Sequence, residues 1–368
     1  MAAKNLSVYS ELLTKVKDEG LLKKHPAFYG WSFAVVTLLS LMTWAGIILM
    51  GIFLSGPITL LVLPLIVFQG LLTAQYAFIA HELAHNQVFE DHRANTWVGM
   101  VMANLFAGLS YGFWLQKHNR HHGKPNMVDS DPDISLRIIA FSTEQKFEKP
   151  SAERMLTRNQ GWLFPVLIFL TSFDLLLDSF KSLGRKTGRG ANLRWIEGAM
   201  LVVRLLTPMA VYFLFLPLWV SPIAWMTYML SFGFFLGAAF AVNHIGMPLV
   251  ERSSRIGFLE RQVLTSRNIT PSRVKDTLLG GLNYQIEHHL FPSMARPNLA
   301  RVRPIVQEFC REKGIAYKEM GLFSGFGEVV RFLNGVGLST KVDPFICPLM
   351  AELRTNAVPL RAVAPLRA

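Results

Sequence analysis

The sequence is poor in charge and in cysteine. Only 17% of its 368 residues are Asp, Glu, Lys or Arg, whereas a soluble domain usually has about a quarter. Two cysteines, Cys310 and Cys347, are too few for a disulfide framework, and both suit a reducing environment. The first 30 residues are polar and lack the apolar core of a signal peptide. The low charge argues against an ordinary soluble protein and predicts a membrane protein.

Apolar residues make up 51% of the chain and are concentrated in long segments. Crossing a bilayer takes about 20 apolar residues, and the crossing segment must be helical because lipid offers no hydrogen-bond partners. Four segments qualify as two hairpins, 31–54 with 58–80 and 200–217 with 223–242. We therefore predict an all-α integral membrane protein with four transmembrane helices and a cytoplasmic helical domain.

Charge predicts the orientation of the hairpins. Their internal loops, 55–57 and 218–222, carry no charge, whereas Lys and Arg collect in the other segments. By the positive-inside rule, the termini and the middle segment are then cytoplasmic. We expect the protein to lie in the inner membrane of a bacterium.

Two further apolar runs, 97–114 and 161–177, are interrupted by glycines or acidic residues. We expect both to be interfacial helices, although a crossing by either is the alternative. Residues 1–30 are expected to form a cytoplasmic segment, and residues 31–342 the main domain. The tail 343–368 contains four prolines, at 344, 348, 359 and 365, and is expected to be mobile.

Seven of the ten histidines fall into three clusters, in which neighbours are adjacent or three or four residues apart. The clusters are "HELAH" (His81, His85), "HNRHH" (His118, His121, His122) and "QIEHH" (His288, His289, headed by Gln285). On a helix such spacings share one face, and neutral imidazole is the commonest side-chain metal ligand. His85 and His118 can share a site only if run 97–114 does not cross the membrane. The clusters therefore predict a metal site on the cytoplasmic side.

The three clusters, in the patterns HxxxH, HxxHH and QxxHH, resemble the histidine boxes of the membrane-bound fatty acid desaturases. The resemblance covers roughly residues 28–335 and includes box order, box separation, the hairpins and the flanking "GGLNYQIEHHLFP". A glutamine heading the third box is typical of the branch with front-end desaturases and related bacterial acyl desaturases. The resemblance implies a dimetal site with two Fe ions, O₂ as co-substrate, and a cis double bond introduced into a long acyl chain, linked to CoA or to lipid.

Two irons with about four nitrogen ligands each need eight ligands, one more than the boxes supply. His25 and His92 lie in charged segments, whereas His244 follows the fourth apolar segment at the depth of His81 after the second. The resemblance also implies an additional histidine in this region. The candidate metal ligands are thus His81, His85, His118, His121, His122, His244, His288 and His289.

Several polar residues are candidates for supporting these ligands. Gln285 stands where other branches have a histidine, so we expect it to act through a water or to leave that position open. Acids can orient the imidazole N–H groups of metal ligands, and the candidates are Glu82, Asp129, Asp131, Asp133 and Glu287.

The sequence also restricts the partners. It has no haem motif, no glycine fingerprint for flavin or nicotinamide, and too few cysteines for an iron–sulfur cluster. We therefore expect a separate electron donor, such as ferredoxin, rubredoxin or cytochrome b5 with its reductase, on the basic cytoplasmic surface. The run 181–194 suits either coenzyme A phosphates or anionic membrane lipids. We expect no nucleic-acid partner.

Other functions fit the sequence less well. "HELAH" is also the H-E-x-x-H pattern of zinc peptidases, but such a site leaves at least four clustered histidines unused. Transporters place ionisable residues inside their spans, and these spans are almost free of them. A diiron membrane hydroxylase or carotenoid oxygenase shares the histidine boxes and is the main alternative.

Overall fold

The computed structural model describes residues 2–136, 138–184 and 193–342. The tail 343–368, with Cys347, and most of the basic run 181–194 lie outside the described residues. The α-helices are α1 (Ala2–Asp18), α2 (Pro26–Phe53), α3 (Leu63–Ala84), α4 (His92–Val101), α5 (Tyr111–Gly123), α6 (Thr143–Glu148), α7 (Ser151–Thr157), α8 (Gln160–Leu167), α9 (Thr171–Leu183), α10 (Arg194–Phe215), α11 (Ser221–His244), α12 (Phe258–Leu264), α13 (Arg273–Leu278), α14 (Gln285–Leu290), α15 (Arg296–Lys313) and α16 (Leu322–Leu338).

Short segments connect some of these helices. Turns of 3₁₀-helix occupy Gly56–Val62, Pro132–Ile134 and Ile168–Leu170, and a π-helical segment occupies Met102–Ala107. Strands β1 (Asn268–Ile269) and β2 (Glu319–Met320) pair in parallel, with Asn268 opposite Glu319. The protein is mostly helical, as the sequence predicts.

Within the described residues, five helices are long and apolar enough to cross a membrane. Four of them cover the predicted segments apart from residues 54, 216 and 217: α2, the helix Gly56–Ala84 that ends in α3, α10 and α11. The fifth is Gln160–Leu183, formed by α8 and α9, where the sequence predicts an interfacial helix. The number of four spans therefore stays a prediction.

The apolar run 97–114 is divided in the structure. α4 leads into the π-helical segment, which ends at Gly108 with a φ of +83°, a backbone conformation that favours glycine. α5 then leaves at a bend of 108°. The guanidinium of Arg204 donates to the carbonyl of Phe106 at 2.8 Å, so this carbonyl at the end of the π-helical segment has a hydrogen-bond partner. One continuous helix over this run does not form, because the turn redirects the chain and carries the second histidine box on α5.

Helices α3 and α11 form the centre of the fold and approach closely. A Cβ atom added at Gly70 of α3 would lie 2.6 Å from Cβ of Ser231 on α11. A Cβ atom at Gly233 would lie 2.2 Å from the carbonyl oxygen of Phe169, so α11 packs equally tightly against the 3₁₀ turn before α9. α3 ends beside His85 and α11 ends at His244. Because the helices run in the same direction, both histidine-bearing ends lie at one end of the membrane-length bundle.

The third histidine box lies on α14, which is buried in a hydrophobic core outside the bundle of long helices. Ile286 and Leu290 of α14 are fully buried and belong to one cluster with Leu12 of α1, Val263 of α12 and Val302 of α15. These helices form a cap over the ends of α3, α5 and α11. The cap brings the last box against the first two.

Candidate metal centre

All eight candidate histidines converge between the helical bundle and its cap. They form two adjoining groups, and within each group the available ligand atoms lie within 4.8 Å of one another. One group contains five histidines, His81, His85, His118, His122 and His288. The other contains three, His121, His244 and His289. His25 and His92 lie outside both groups.

The geometry of the five-histidine group fits a cation. Nε2 of His118 lies 3.0 Å from Nε2 of His81 and 2.9 Å from the Nε2 atoms of His85 and His122. Nε2 of His288 lies 3.1 Å from that of His122. One imidazole nitrogen carries either one proton or one lone pair, so His118 cannot satisfy three such neighbours by hydrogen bonds. Imidazole nitrogens about 2.0–2.1 Å from one metal, at right angles to each other, are about 3 Å apart.

In the three-histidine group, the side chain of Gln285 lies close enough to be a further metal ligand. Nε2 of His121 and Nε2 of His244 are 3.3 Å apart, and the side-chain amide of Gln285 is 2.9 Å from Nε2 of His244. Nε2 of His289 is buried without a hydrogen-bond partner in the described part of the chain. The sequence predicts about four ligands for each metal, whereas the structure divides the histidines five and three, with Gln285 beside the smaller group.

Partners outside the centre orient two histidines of the smaller group, His121 and His244. Nδ1 of His121 lies 2.9 and 3.1 Å from the two carboxylate oxygens of Asp131. Nδ1 of His244 donates to the carbonyl of Thr265 at 3.0 Å. Because these oxygens accept, each Nδ1 carries the proton and each Nε2 lone pair faces inward. This is the arrangement of metal-bound histidines.

The five candidate acids have different positions. Asp131 is fully buried against His121, and Asp133 lies 3.4 Å from the same nitrogen while pairing with Lys117 at 3.1 Å. Asp129 is exposed and has a φ of +58°. Of the five acids, Asp131 therefore makes the closest contact with a candidate ligand, His121.

Glu82 and Glu287 have other partners than the histidines. Glu82 forms a bidentate ion pair with Arg296. Glu287 accepts from Asn268 at 2.6 Å and from the hydroxyl of Tyr317 at 2.7 Å. The expectation that they orient imidazoles is not met, because each immediately precedes or follows a box histidine on a helix, and adjacent helical residues point in different directions.

Burial favours the neutral form of most of the eight imidazoles, whereas the pKa of His121 is raised because Asp133 and Asp131 together outweigh its burial. Burial lowers the pKa of His85 to about 3 and the pKa values of His288 and His289 well below their ordinary value. An imidazole binds metal through the lone pair of its neutral form. At neutral pH the three side chains are therefore ready to act as ligands.

An apolar cavity of about 530 Å³ opens from the histidines between α3, α9 and α11. Its polar end includes His81, His118, His121 and His244. Its walls are mostly aliphatic and aromatic, and include Leu109, Phe164, Ile168, Leu236, Phe240 and Ile245. A chain of methylene groups is the kind of ligand that such walls accept.

Comparison with known proteins agrees with this geometry. The sequence profile of the family "Fatty acid desaturase" matches residues 58–321, which contain all eight histidines. The chain belongs to the fatty acid desaturase family. It is therefore an oxidoreductase, and acyl desaturation is its function.

The relatives of this desaturase include several with a stated double-bond position. It is 35% identical over 284 residues to the acyl-lipid (9-3)-desaturase of Physcomitrium patens, a match that covers 71% of this chain and 51% of the moss protein. It is 30% identical over 338 residues to a Delta(6)-fatty-acid desaturase of Caenorhabditis elegans, covering 88% and 73% of the two chains. A Delta(5) fatty acid desaturase of the same nematode is 29% identical over 358 residues, covering 91% and 75%. The chain thus spans about half the length of the moss relative.

Sequence reasoning missed two residues that contact histidines of the centre. They are Gln262 and Thr265, both in the segment "QVLTSRN" before the third box. The concentration of amide and hydroxyl side chains in a segment that leads to a ligand box was the available signal. Nothing in their spacing indicates which histidine each one contacts.

The Asp131 contact generates a prediction. Asp131→Asn keeps the shape of the side chain but removes one oxygen and the charge that hold His121, so we expect metal affinity to fall about 10- to 100-fold. The measurement is the metal content and metal titration of the purified protein. Asp129→Asn, on the exposed part of the same loop, is the matched control and should bind metal normally. Full metal affinity in Asp131→Asn would contradict the orienting role.

Proposed function

We propose that this desaturase holds two irons in its two histidine groups and introduces a cis double bond into a long acyl chain with O₂. The observation that supports this most strongly is the position of the eight histidines at the end of an apolar cavity. Iron with O₂ supplies an oxidant strong enough to take hydrogen from an unactivated CH₂ group. The proposed ligands are His81, His85, His118, His122 and His288 for one iron, and His121, His244 and His289 for the other, with Gln285 as a further or water-mediated contact.

The walls of the cavity position the substrate for the reaction. Aliphatic and aromatic side chains exclude water and hold the acyl chain against the histidines, so that its methylene groups lie beside the metal centre. Trp114 stacks on His118 with ring centroids 4.3 Å apart and belongs to the same wall. The substrate is therefore positioned by shape and burial, since an alkyl chain offers no polar group to bind.

We further propose a front-end specificity, with the new double bond near the carboxyl end of the chain. The three relatives described above are named for positions 5 and 6 and for the (9-3) pattern. In this chain the polar cavity residues Lys117 and Asp133 lie beside His121. A carboxyl-derived end, bound to CoA or lipid, suits this polar region and would place the nearby carbons at the histidines.

Electrons would come from a separate donor, of the ferredoxin, rubredoxin or cytochrome b5 type. The last turn of α5 carries His121 and His122 and exposes Arg120, and Lys124, directly after the helix, is exposed as well. An acidic donor that binds this basic surface would lie close to both histidine groups, because Arg120 and Lys124 flank one histidine of each group. The surface would face the cytoplasm by the positive-inside rule. Placement in a bacterial inner membrane stays a prediction, and the moss and nematode relatives are eukaryotic.

Product analysis tests the activity. Expression in a host without polyunsaturated fatty acids, with candidate acyl chains supplied, should give a new cis double bond at a fixed distance from the carboxyl end. Gas chromatography with mass spectrometry of the lipids locates it. His121→Ala should form no product, because it removes a ligand. A hydroxylated product in place of an alkene would support the diiron hydroxylase alternative and contradict desaturation.

The ligand outside the boxes gives a second prediction. His244→Ala removes one of only three histidines in its group, so the purified variant should lose iron and activity. His92→Ala is the matched control, because His92 lies at the exposed start of α4 and should leave both unchanged. If His244→Ala keeps two irons and normal turnover, His244 is no ligand and Gln285 becomes the leading candidate.

A further inference from the structure

A buried glutamine outside the histidine boxes contacts two of the eight histidines. Gln262 lies on α12 and has no solvent exposure. Its Nε2 donates to the backbone carbonyl of His122 at 3.0 Å. Its Oε1 lies 2.9 Å from Nδ1 of His289. Both partners of the amide therefore belong to the candidate metal centre.

These two contacts determine which ring nitrogen of His289 carries the proton. A backbone carbonyl only accepts, so the NH₂ group of Gln262 must face His122. Oε1 then faces His289, and Nδ1 of His289 must carry the proton that Oε1 accepts. The Nε2 of His289 is consequently left with its lone pair, and it is the buried atom without a hydrogen-bond partner in the described chain. The glutamine holds His289 in the tautomer that binds a metal through Nε2.

Gln262 also connects the two histidine groups. His122 belongs to the five-histidine group and His289 to the three-histidine group. Their rings stack with centroids 4.2 Å apart and an angle of 14° between their planes. The amide therefore sets the position of one ligand of each metal relative to the other.

The supports of the smaller group differ in charge. His121 has the carboxylate of Asp131, His244 has the carbonyl of Thr265, and His289 has the neutral amide of Gln262. An amide is the side chain that can accept from His289 and donate to the carbonyl of His122 at once. A carboxylate would accept only.

We propose that Gln262 is a positioning residue of the metal centre, which sets the tautomer and orientation of His289 and ties it to His122. The inference rests on the proposed two-metal function and adds a residue outside the boxes to it. Metal ligands commonly depend on such outer partners for about 10- to 100-fold in affinity.

The test is a Co²⁺ titration of the metal-free, full-length protein in detergent, followed by visible absorption of the bound cobalt. Gln262→Met keeps the length of the side chain but removes both hydrogen bonds. Gln262→Glu restores an acceptor for Nδ1 of His289. Gln160→Met is the matched control, because Gln160 is also buried, and within the described residues its side chain bonds only the backbone of Ala140 and Leu333.

We expect Gln262→Met to bind Co²⁺ about 10- to 100-fold more weakly than the wild type and to change the cobalt spectrum. Gln262→Glu should recover part of the affinity, because it keeps the acceptor for His289 but loses the donor to the carbonyl of His122. Gln160→Met should lower the thermal unfolding temperature without changing the affinity or the spectrum. Should Gln262→Met not fold, Gln262→Asn, whose shorter amide cannot reach both partners, carries the same expectation.

Two results would overturn the positioning role. One is wild-type affinity and spectrum in Gln262→Met. The other is an equal loss of affinity in Gln160→Met, which would make the effect a general loss of stability. Failure of the wild type to bind two Co²⁺ ions is a different outcome, because it would contradict the two-metal proposal itself.

Discussion

The crowding of eight inward-facing imidazole nitrogens is the constraint that the rest of the structure serves. Buried polar atoms are costly unless they have partners, and nitrogens near 3 Å from several like neighbours cannot all be partnered by hydrogen bonds. One bound cation in each histidine group resolves this conflict, because every lone pair in the group then has the same partner. The close approach of α3 and α11 at Gly70 and the burial of α14 in the cap bring the nitrogens to these distances.

The location of the centre follows from the chemistry of its substrate and of its ligands. Ionisable groups are expensive at the middle of a bilayer, and the histidines lie at the ends of the membrane-length helices. The acyl substrate is apolar, and the cavity that reaches the histidines has walls such as Ile168, Leu236 and Phe240. One site can therefore combine a polar, nitrogen-rich centre with a water-free path for a hydrocarbon chain.

Much of this could be predicted from the sequence because it depends on local spacing. Box histidines three and four residues apart share a helical face, and the depth of His244 at the end of an apolar segment predicts that it lies near them. The outer contacts could not be predicted, because Gln262 and His289 are 27 residues apart and meet only in the folded cap. Glu82 and Glu287 are near the ligands in sequence, but the helical rotation between adjacent residues turns them toward Arg296, Asn268 and Tyr317.

The most direct test of the account is an anomalous diffraction map at the iron absorption edge, from crystals of the protein purified with its native metal. Two peaks are predicted, one among His81, His85, His118, His122 and His288, and one among His121, His244 and His289. A single peak held by the "HELAH" histidines, or peaks that appear only at the zinc edge, would contradict the account.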